Sequence, residues 1–165
     1  MMSINDRHIW WKNKISLADA RLYEICLKED IKEKDLEKII ISLNSSLTPL
    51  FIELGARSNL GEGALDFKVY EAEETLILKS QNLDCDKNSF EGFFLREIHS
   101  IFIELGFDPI KPIREQEPNP LPDRKALDDI VFDALGLTEQ ERKEVYWAVA
   151  ELVKNRLDKA RSVGR

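Results

Sequence analysis

The stretch RSNLGEGALDFKVYE, residues 57–71, has residue types that are found in phosphate-binding loops. Gly61 and Gly63 stand one residue apart, after an arginine, a serine and an asparagine. Phosphate-binding loops place glycines in G-x-x-x-x-G-K-[ST], and dinucleotide-binding loops place them in G-x-G-x-x-G between a strand and a helix. Here the glycines lead from a predicted helix into a predicted strand, and Glu62 between them would repel a phosphate. The sequence therefore favours a glycine turn over a nucleotide site.

The residues that most often carry catalysis or bind metals are few and scattered. The chain has two histidines, His8 and His99, and two cysteines, Cys26 and Cys85. None of them lies in a zinc-ligand spacing or an H-E-x-x-H motif, and a G-x-S-x-G nucleophile motif is absent. Most carboxylates alternate with lysines, as they do on solvated helix faces. The sequence therefore predicts no catalytic residue, no metal site and no cofactor.

The charge balance limits how this chain could bind nucleic acid. Its net charge of −7 argues against broad, nonspecific binding, which requires a basic surface. Cations are concentrated in residues 1–28 and 154–165, so any contact with DNA would have to be local. No apolar run approaches the length of a membrane span, and two cysteines that fit no disulfide framework indicate a reducing compartment. We therefore expect a cytoplasmic protein without a membrane partner.

Hydrophobic periodicity predicts strands and helices in one domain. Helical spacing runs through the stretch 28–47, with Asp30 and Glu33 as a cap, and Pro49 makes either a kink or the first turn of a new helix. The remaining predicted elements are strands at 7–12, 21–27 and 64–71 and a helix over 89–106 ending at Gly106. This order predicts an α+β fold with a small mixed or antiparallel sheet and packed helices.

The last third of the sequence predicts a helical hairpin. Five of the six prolines lie between residues 109 and 122 and favour an extended spacer. An apolar stripe then ends at Gly136, and Thr138 with Glu141 forms a capping box for a long second helix. The predicted units are therefore an α+β domain at 1–108, a proline-rich linker at 109–125 and the hairpin at 126–165. A hairpin alone buries little, so it must pack on the preceding domain, on a second copy in a homodimer, or on a part that is missing from this sequence.

Trp10 and Trp11 raise a separate question, because adjacent strand residues face opposite sides. Core packing with one exposed edge is the simpler interpretation. The alternative is that an outward tryptophan beside the cations of this segment contacts DNA or a protein partner.

Several segments together resemble the C-terminal part of adenine-N6 DNA methyltransferases of restriction–modification systems. The order and spacing of the segments carry the resemblance, which extends over most of the chain. The segments are DRHIWWK, ADARLYEI, LNSSLTPLFIELGARSNLGEGALDFKVYE, REIHSIFIELGF and LDDIVFDALGLTEQERKEVYWAVAELVKNRLDKARSV. In that family, the part around the Leu-Asn-Ser helix and the glycine loop is similar to the target recognition domain, which reads the DNA sequence. Similar modules form the specificity subunits of type I restriction systems.

The resemblance implies a role for each candidate residue. The expected partners are double-stranded DNA and a methyltransferase catalytic domain or subunit, and Gly61 and Gly63 become structural residues of the loop. The implied DNA-binding residues are Arg57, Ser58, Asn59, Lys68, Arg7, Trp11, Lys12 and Lys14.

The motifs that the family uses for catalysis do not occur in this chain. Those enzymes bind S-adenosylmethionine through a glycine-containing strand–loop–helix and hold the flipped adenine with an N-P-P-[YF] tetrapeptide. The nearest match, NPLP at 119–122, lacks the aromatic residue that would stack on the base. The chain is therefore expected to be no enzyme by itself, but a DNA recognition module that acts with a separate catalytic domain. The alternative is a protein-interaction module that docks a catalytic subunit through its hairpin, without DNA contact.

Overall fold

The computed structural model describes residues 2–12, 22, 24–26, 32–57, 63–85, 93 and 95–163. Its strands are β1 (Met2–Ile4) and β2 (Leu65–Phe67). Its helices are α1 (Glu33–Asn44), α2 (Leu47–Gly55), α3 (Val69–Glu74), α4 (Ile101–Leu105), α5 (Pro122–Leu135) and α6 (Glu139–Val163), with 3₁₀ turns at Ser80–Asn82 and Ile113–Glu115.

The described part of the chain is mostly helical, so the predicted α+β fold with a small sheet and packed helices is wrong. Its β structure is one short antiparallel ladder, in which Met2 pairs with Phe67 and Ile4 with Leu65, beside an isolated bridge between Arg57 and Asp66. The ladder is too short to form a layer on which helices could pack.

The predicted strand at residues 7–12 does not form, because helices satisfy the backbone of this segment. The Asn44 side chain accepts a hydrogen bond from the N–H of Trp10 at 3.0 Å and donates one to its carbonyl at 2.7 Å. The carbonyl of Asp6 accepts from the N–H of Ile101 at 2.7 Å. These contacts replace the hydrogen bonds of a sheet partner. The described part of the second predicted strand, residues 24–26, is also irregular.

The helical pair in the first half follows the sequence pattern. α1 begins after Lys32, whereas Asp30 lies outside the described residues. Pro49 is the third residue of α2, where its missing N–H has no partner to lose. The chain turns between the two helices at Ser45 and Ser46, which are both buried.

Two predicted elements are shorter than expected. The segment 64–71 contains β2 but then turns into α3, whose start is capped by Glu71 through the Lys68 N–H at 2.8 Å. The predicted helix at 89–106 is interrupted, because residues 97–100 are not helical and α4 begins at Ile101.

The last third of the chain contains two helices, and the first of them begins at Pro122, within the stretch 109–125 that was predicted to be a linker. α5 ends at Gly136, which adopts the left-handed conformation with φ of 69°. The Thr138 N–H donates to Glu141 at 2.8 Å, and the Glu141 N–H donates back to the Thr138 hydroxyl at 3.4 Å, which closes the capping box.

The proline-rich stretch packs against α4. The N–H of Asn119 donates to the carbonyl of Leu105, and the N–H of Leu121 donates to that of Glu104, each at 3.0 Å. Ile113 is buried with Phe132 and Val149 of the hairpin in the largest apolar cluster. The hairpin, the proline-rich stretch and α4 therefore share one core. None of the described helices has the length and apolar character needed to cross a membrane.

Candidate functional site

The structure places the predicted DNA-binding residues that it describes in two groups. Arg7, Trp11 and Lys12 are exposed on the N-terminal segment that follows β1. Arg57 and Lys68 flank β2, and Arg57 is held there by the backbone bridge to Asp66. Ser58, Asn59, Gly61 and Lys14 lie outside the described residues.

Carboxylates lie close to the cations of both groups. Arg57 Nε is 3.4 Å from the Glu71 carboxylate, and the Arg57 guanidinium also lies 5.8 Å from the centre of the Tyr70 ring. Lys68 Nζ is 2.7 Å from Asp66. Arg7 is 3.7 Å from Glu97, with both side chains largely exposed. These ion pairs reduce the positive potential that the cations would present to a phosphate.

Gly63 connects the glycine loop to the hairpin. Its φ is +76°, and a Cβ at this position would lie 3.0 Å from Cβ of Ala160 and 3.4 Å from the carbonyl oxygen of Arg156 on α6. The Gly63 carbonyl accepts a hydrogen bond from the Arg156 guanidinium. The end of the loop is therefore fixed against α6, with a backbone conformation that other residues rarely adopt.

A buried ion pair that the sequence analysis did not identify lies beneath the N-terminal segment. Arg156 donates to both oxygens of Glu53, at 2.9 and 2.7 Å, and to the carbonyl of Asn5 at 2.7 Å. The side chains of Arg156 and Glu53 are only 5% and 2% exposed. Bidentate pairing of this kind compensates for the burial of two charges and joins α2, α6 and the N-terminal segment.

A second buried ion network joins α4, α5 and α1. Arg124 Nε donates to Glu104 at 3.2 Å, and its Nη1 donates to the carbonyl of Asn44. Arg96 donates to both oxygens of Glu104 at 2.8 Å and also pairs with Asp123. Burial alone would raise the pKa of Glu104, but the hydrogen bonds from Arg96 and the charge of Arg124 lower it. Glu104 is therefore a buried carboxylate that stays ionised.

Asp128 on α5 holds the start of α2. Its two oxygens accept hydrogen bonds from the N–H of Ser46 at 2.6 Å and from the Ser46 hydroxyl at 2.7 Å. Burial raises the pKa of Asp128 to about 6, against the opposing effects of Arg124 and of these hydrogen bonds. This carboxyl group thus couples the turn between α1 and α2 to the hairpin.

Among the described residues, His8 is the one buried side chain of which both ring nitrogens lack a hydrogen-bond partner. Its side chain is 4% exposed, and neither ring nitrogen has a hydrogen-bond partner among the described residues. The Glu53 carboxylate lies 3.7 Å from Nε2, which is beyond hydrogen-bond distance. Burial, followed by the positive charges of Arg156 and Arg124, lowers the pKa of His8 to about 3. The imidazole is therefore neutral at physiological pH.

A cavity of about 140 Å³ lies beside His8. Its walls come from the N-terminal segment, from Leu22 and from α2, and they are mostly apolar or aromatic. The lining residues are Ile4, Arg7, His8, Ile9, Trp10, Trp11, Leu22 and Ile52. Trp11, which is 56% exposed, lies at its border with solvent. Among the proposed DNA-binding residues, the cavity brings together Arg7 and Trp11.

The sequence does contain a signal for the buried charges. Arg124 and Asp128 are four residues apart and lie on the same face of α5 as the buried Leu127 and Val131. Arg156 similarly extends the apolar face of α6. Charged residues within an apolar stripe can indicate buried ion pairs, whereas nothing in the sequence indicates the surroundings of His8.

The described residues contain no group of three or more histidine, cysteine or acidic side chains that could hold a metal ion. Comparisons with protein-family models, with curated proteins and with solved structures give no match to this chain.

Proposed function

We propose that this chain is a non-catalytic DNA recognition module of a restriction–modification adenine-N6 DNA methyltransferase. It would act in the cytoplasm with a catalytic domain or subunit that binds S-adenosylmethionine. The basis is the resemblance of its segments to the C-terminal part of such enzymes, together with the absence of their cofactor-binding and N-P-P-[YF] motifs.

The structural observation that best supports DNA contact is the position of Arg57. Its side chain is 59% exposed, and its backbone is fixed by two hydrogen bonds with Asp66, of 3.4 and 2.9 Å. The guanidinium lies near the exposed ring of Tyr70. An exposed arginine on a fixed backbone suits a phosphate or the edge of a guanine, which it can contact with two hydrogen bonds.

The ion pairs of these cations support a second candidate function, docking of a catalytic subunit without DNA contact. Arg7, Arg57 and Lys68 each lie within 4.0 Å of a carboxylate, and the chain is acidic overall. DNA binding would require these pairs to open or their carboxylates to turn away. The hairpin is the proposed docking element, either for a catalytic subunit or for a second copy of the chain.

The two functions differ in how binding depends on salt and on Arg57. The complex of the chain with an adenine-N6 methyltransferase catalytic domain would be titrated with double-stranded DNA at several salt concentrations. Arg57→Ala should lower the salt slope by about one ion if Arg57 contacts a phosphate. If Arg57 reads a guanine, the change should cost about 1–3 kcal/mol and relax the preference at one base pair.

The matched control is Lys125→Ala, which also removes one exposed, ion-paired cation but lies on α5. It should leave affinity and salt slope unchanged. The isolated chain should neither bind S-adenosylmethionine in calorimetry nor methylate adenine. Equal binding curves for wild type, Arg57→Ala and Lys125→Ala would show that Arg57 does not contact DNA and would leave the loop as a structural turn. Absence of DNA binding even at low salt, with a stable complex, would exclude the recognition function.

A further inference from the structure

We propose that the cavity beside His8 is a binding site for a small, neutral heteroaromatic molecule that donates an N–H to the His8 imidazole. The proposal concerns the cavity and its lining residues and does not depend on DNA binding.

The first reason is the hydrogen-bonding state of His8. A neutral imidazole has one nitrogen that donates and one that accepts. Buried polar groups of this kind almost always have a partner, because an unsatisfied one retains its full cost of desolvation. Neither nitrogen of His8 has a partner among the described residues, although only 4% of the side chain is exposed. An additional molecule at this position would supply the missing partner.

The second reason is that the neighbouring charges determine which ring nitrogen of His8 can accept a hydrogen bond. Both oxygens of Glu53 are already hydrogen-bonded to Arg156. The nearer oxygen still lies 3.7 Å from Nε2 of His8, so its negative charge favours the tautomer with the proton on Nε2. Nδ1 is then the acceptor, and it requires an N–H or O–H donor. Burial lowers the pKa of His8 most, and the positive charges of Arg156 and Arg124 lower it further; the same charges would disfavour a cationic ligand.

The third reason is the size and composition of the cavity. A volume of about 140 Å³ is close to that of cavities that hold benzene, about 150 Å³. Ile4, Ile9 and Ile52 provide apolar walls, and Trp10 and Trp11 provide aromatic surface. Ligand sites in proteins combine such walls with a few polar groups that fix orientation. A planar ring with one N–H donor fits this combination, whereas a strongly hydrated or cationic molecule does not.

The walls of the cavity are held in place by the rest of the fold. The Asn44 side chain binds both backbone polar groups of Trp10, at 3.0 and 2.7 Å. Arg156 binds the carbonyl of Asn5 at 2.7 Å, and Ile101 binds that of Asp6. The segment carrying His8 is therefore anchored by α1, α4 and α6, so a ligand would meet a preformed site and lose little affinity to ordering it.

The test uses benzimidazole, which is neutral at pH 7.5 and carries one N–H donor, and 1-methylbenzimidazole, which lacks that donor. Calorimetric titration of the full chain should detect benzimidazole binding, with 1-methylbenzimidazole at least 10-fold weaker. Long-range ¹H–¹⁵N NMR spectra should show the Nε2–H tautomer of His8 and a shift of the Nδ1 signal on binding. His8→Leu should abolish the difference between the two probes.

Two surface variants keep the proposal testable if His8→Leu does not fold. Trp11→Ala should weaken benzimidazole binding 3-fold or more without loss of folding, because Trp11 is half exposed. Leu54→Ala, at a residue 66% exposed and outside the cavity lining, should leave binding unchanged. Equal affinity for the two probes, absence of binding, or NMR detection of ordered water alone in the cavity would each overturn the proposal.

Discussion

Replacing His8 with glutamine should change how the free energy of unfolding depends on pH. Glutamine keeps a neutral donor and acceptor but does not titrate. In the wild type, the pKa of His8 is lowered from 6.5 to about 3 on folding, by burial and by the charges of Arg156 and Arg124. A lowered folded-state pKa contributes stability that is fully present above pH 6.5. That stability is lost as the pH falls towards 3, because His8 binds a proton in the unfolded chain at pH values where it stays neutral in the folded chain.

The expected size follows from the two pKa values. Between pH 6.5 and pH 4, each pH unit is worth about 1.4 kcal/mol, so the wild type should lose about 3 kcal/mol from this group. Asp128 opposes this trend, because its pKa is raised to about 6 and its contribution to stability is lost as the pH rises from about 4 to 6. In the pH dependence of the free energy of unfolding of the wild type, the two contributions partly cancel. The quantity to measure is therefore the difference in free energy of unfolding between wild type and variant.

The assay is urea denaturation of wild type and His8→Gln at intervals from pH 7.5 to pH 4. The stability difference between the two proteins should change by about 3 kcal/mol in favour of the variant over this range. His99→Gln removes the other imidazole without altering the buried network and serves as the control. A stability difference that stays constant with pH for His8→Gln would refute a buried, neutral His8, and with it the cavity chemistry.

Three further results are expected. Arg124→Leu should cost about 3–5 kcal/mol in urea denaturation, since Glu104 would keep its charge in a buried position with one partner fewer; a loss below about 1 kcal/mol would contradict the buried network. Gly106→Ala should destabilise far more than Gly136→Ala, measured as the shift in Tm. Both glycines have positive φ, but a Cβ at Gly106 would lie 2.1 Å from a backbone oxygen, whereas Gly136 faces open space; equal shifts would contradict the close packing. Residues 1–121 alone should show no cooperative unfolding by circular dichroism, because the hairpin supplies much of the core; a sharp transition would make the hairpin a separate unit.

Local patterns predicted the helices better than the strands. The hairpin was predictable because its caps and apolar stripe are all local in sequence, as in Thr138 with Glu141. The strand predicted at 7–12 failed because its pairing depends on distant residues. The backbone of Trp10 could have formed hydrogen bonds with another strand, but it forms them with the side chain of Asn44, 34 residues away. No short-range pattern contains that choice.

The candidate site was predictable only in part. The exposure of Arg57 and Trp11 agrees with residues that could contact a partner, but the carboxylates beside the cations come from other elements. The lowered pKa of His8 depends on its burial and on the charge of Arg156, which is 148 positions further along the chain by their residue numbers. Burial and electrostatic environment are properties of the assembled fold, so the sequence identified candidate residues without their protonation states.

The contacts of Arg156 have a consequence for synthesis of the protein. This residue donates to the carbonyl of Asn5, which lies 151 positions earlier in the chain, and it also binds Glu53 and Gly63. Until then, the carboxylate of Glu53 and the carbonyl of Asn5 lack this partner, and the N-terminal segment has no anchor on α6. Anchoring of the segment that carries Asn5 should therefore be postponed until Arg156 has been synthesised, and a nascent chain stalled before Arg156 should stay sensitive to proteases there.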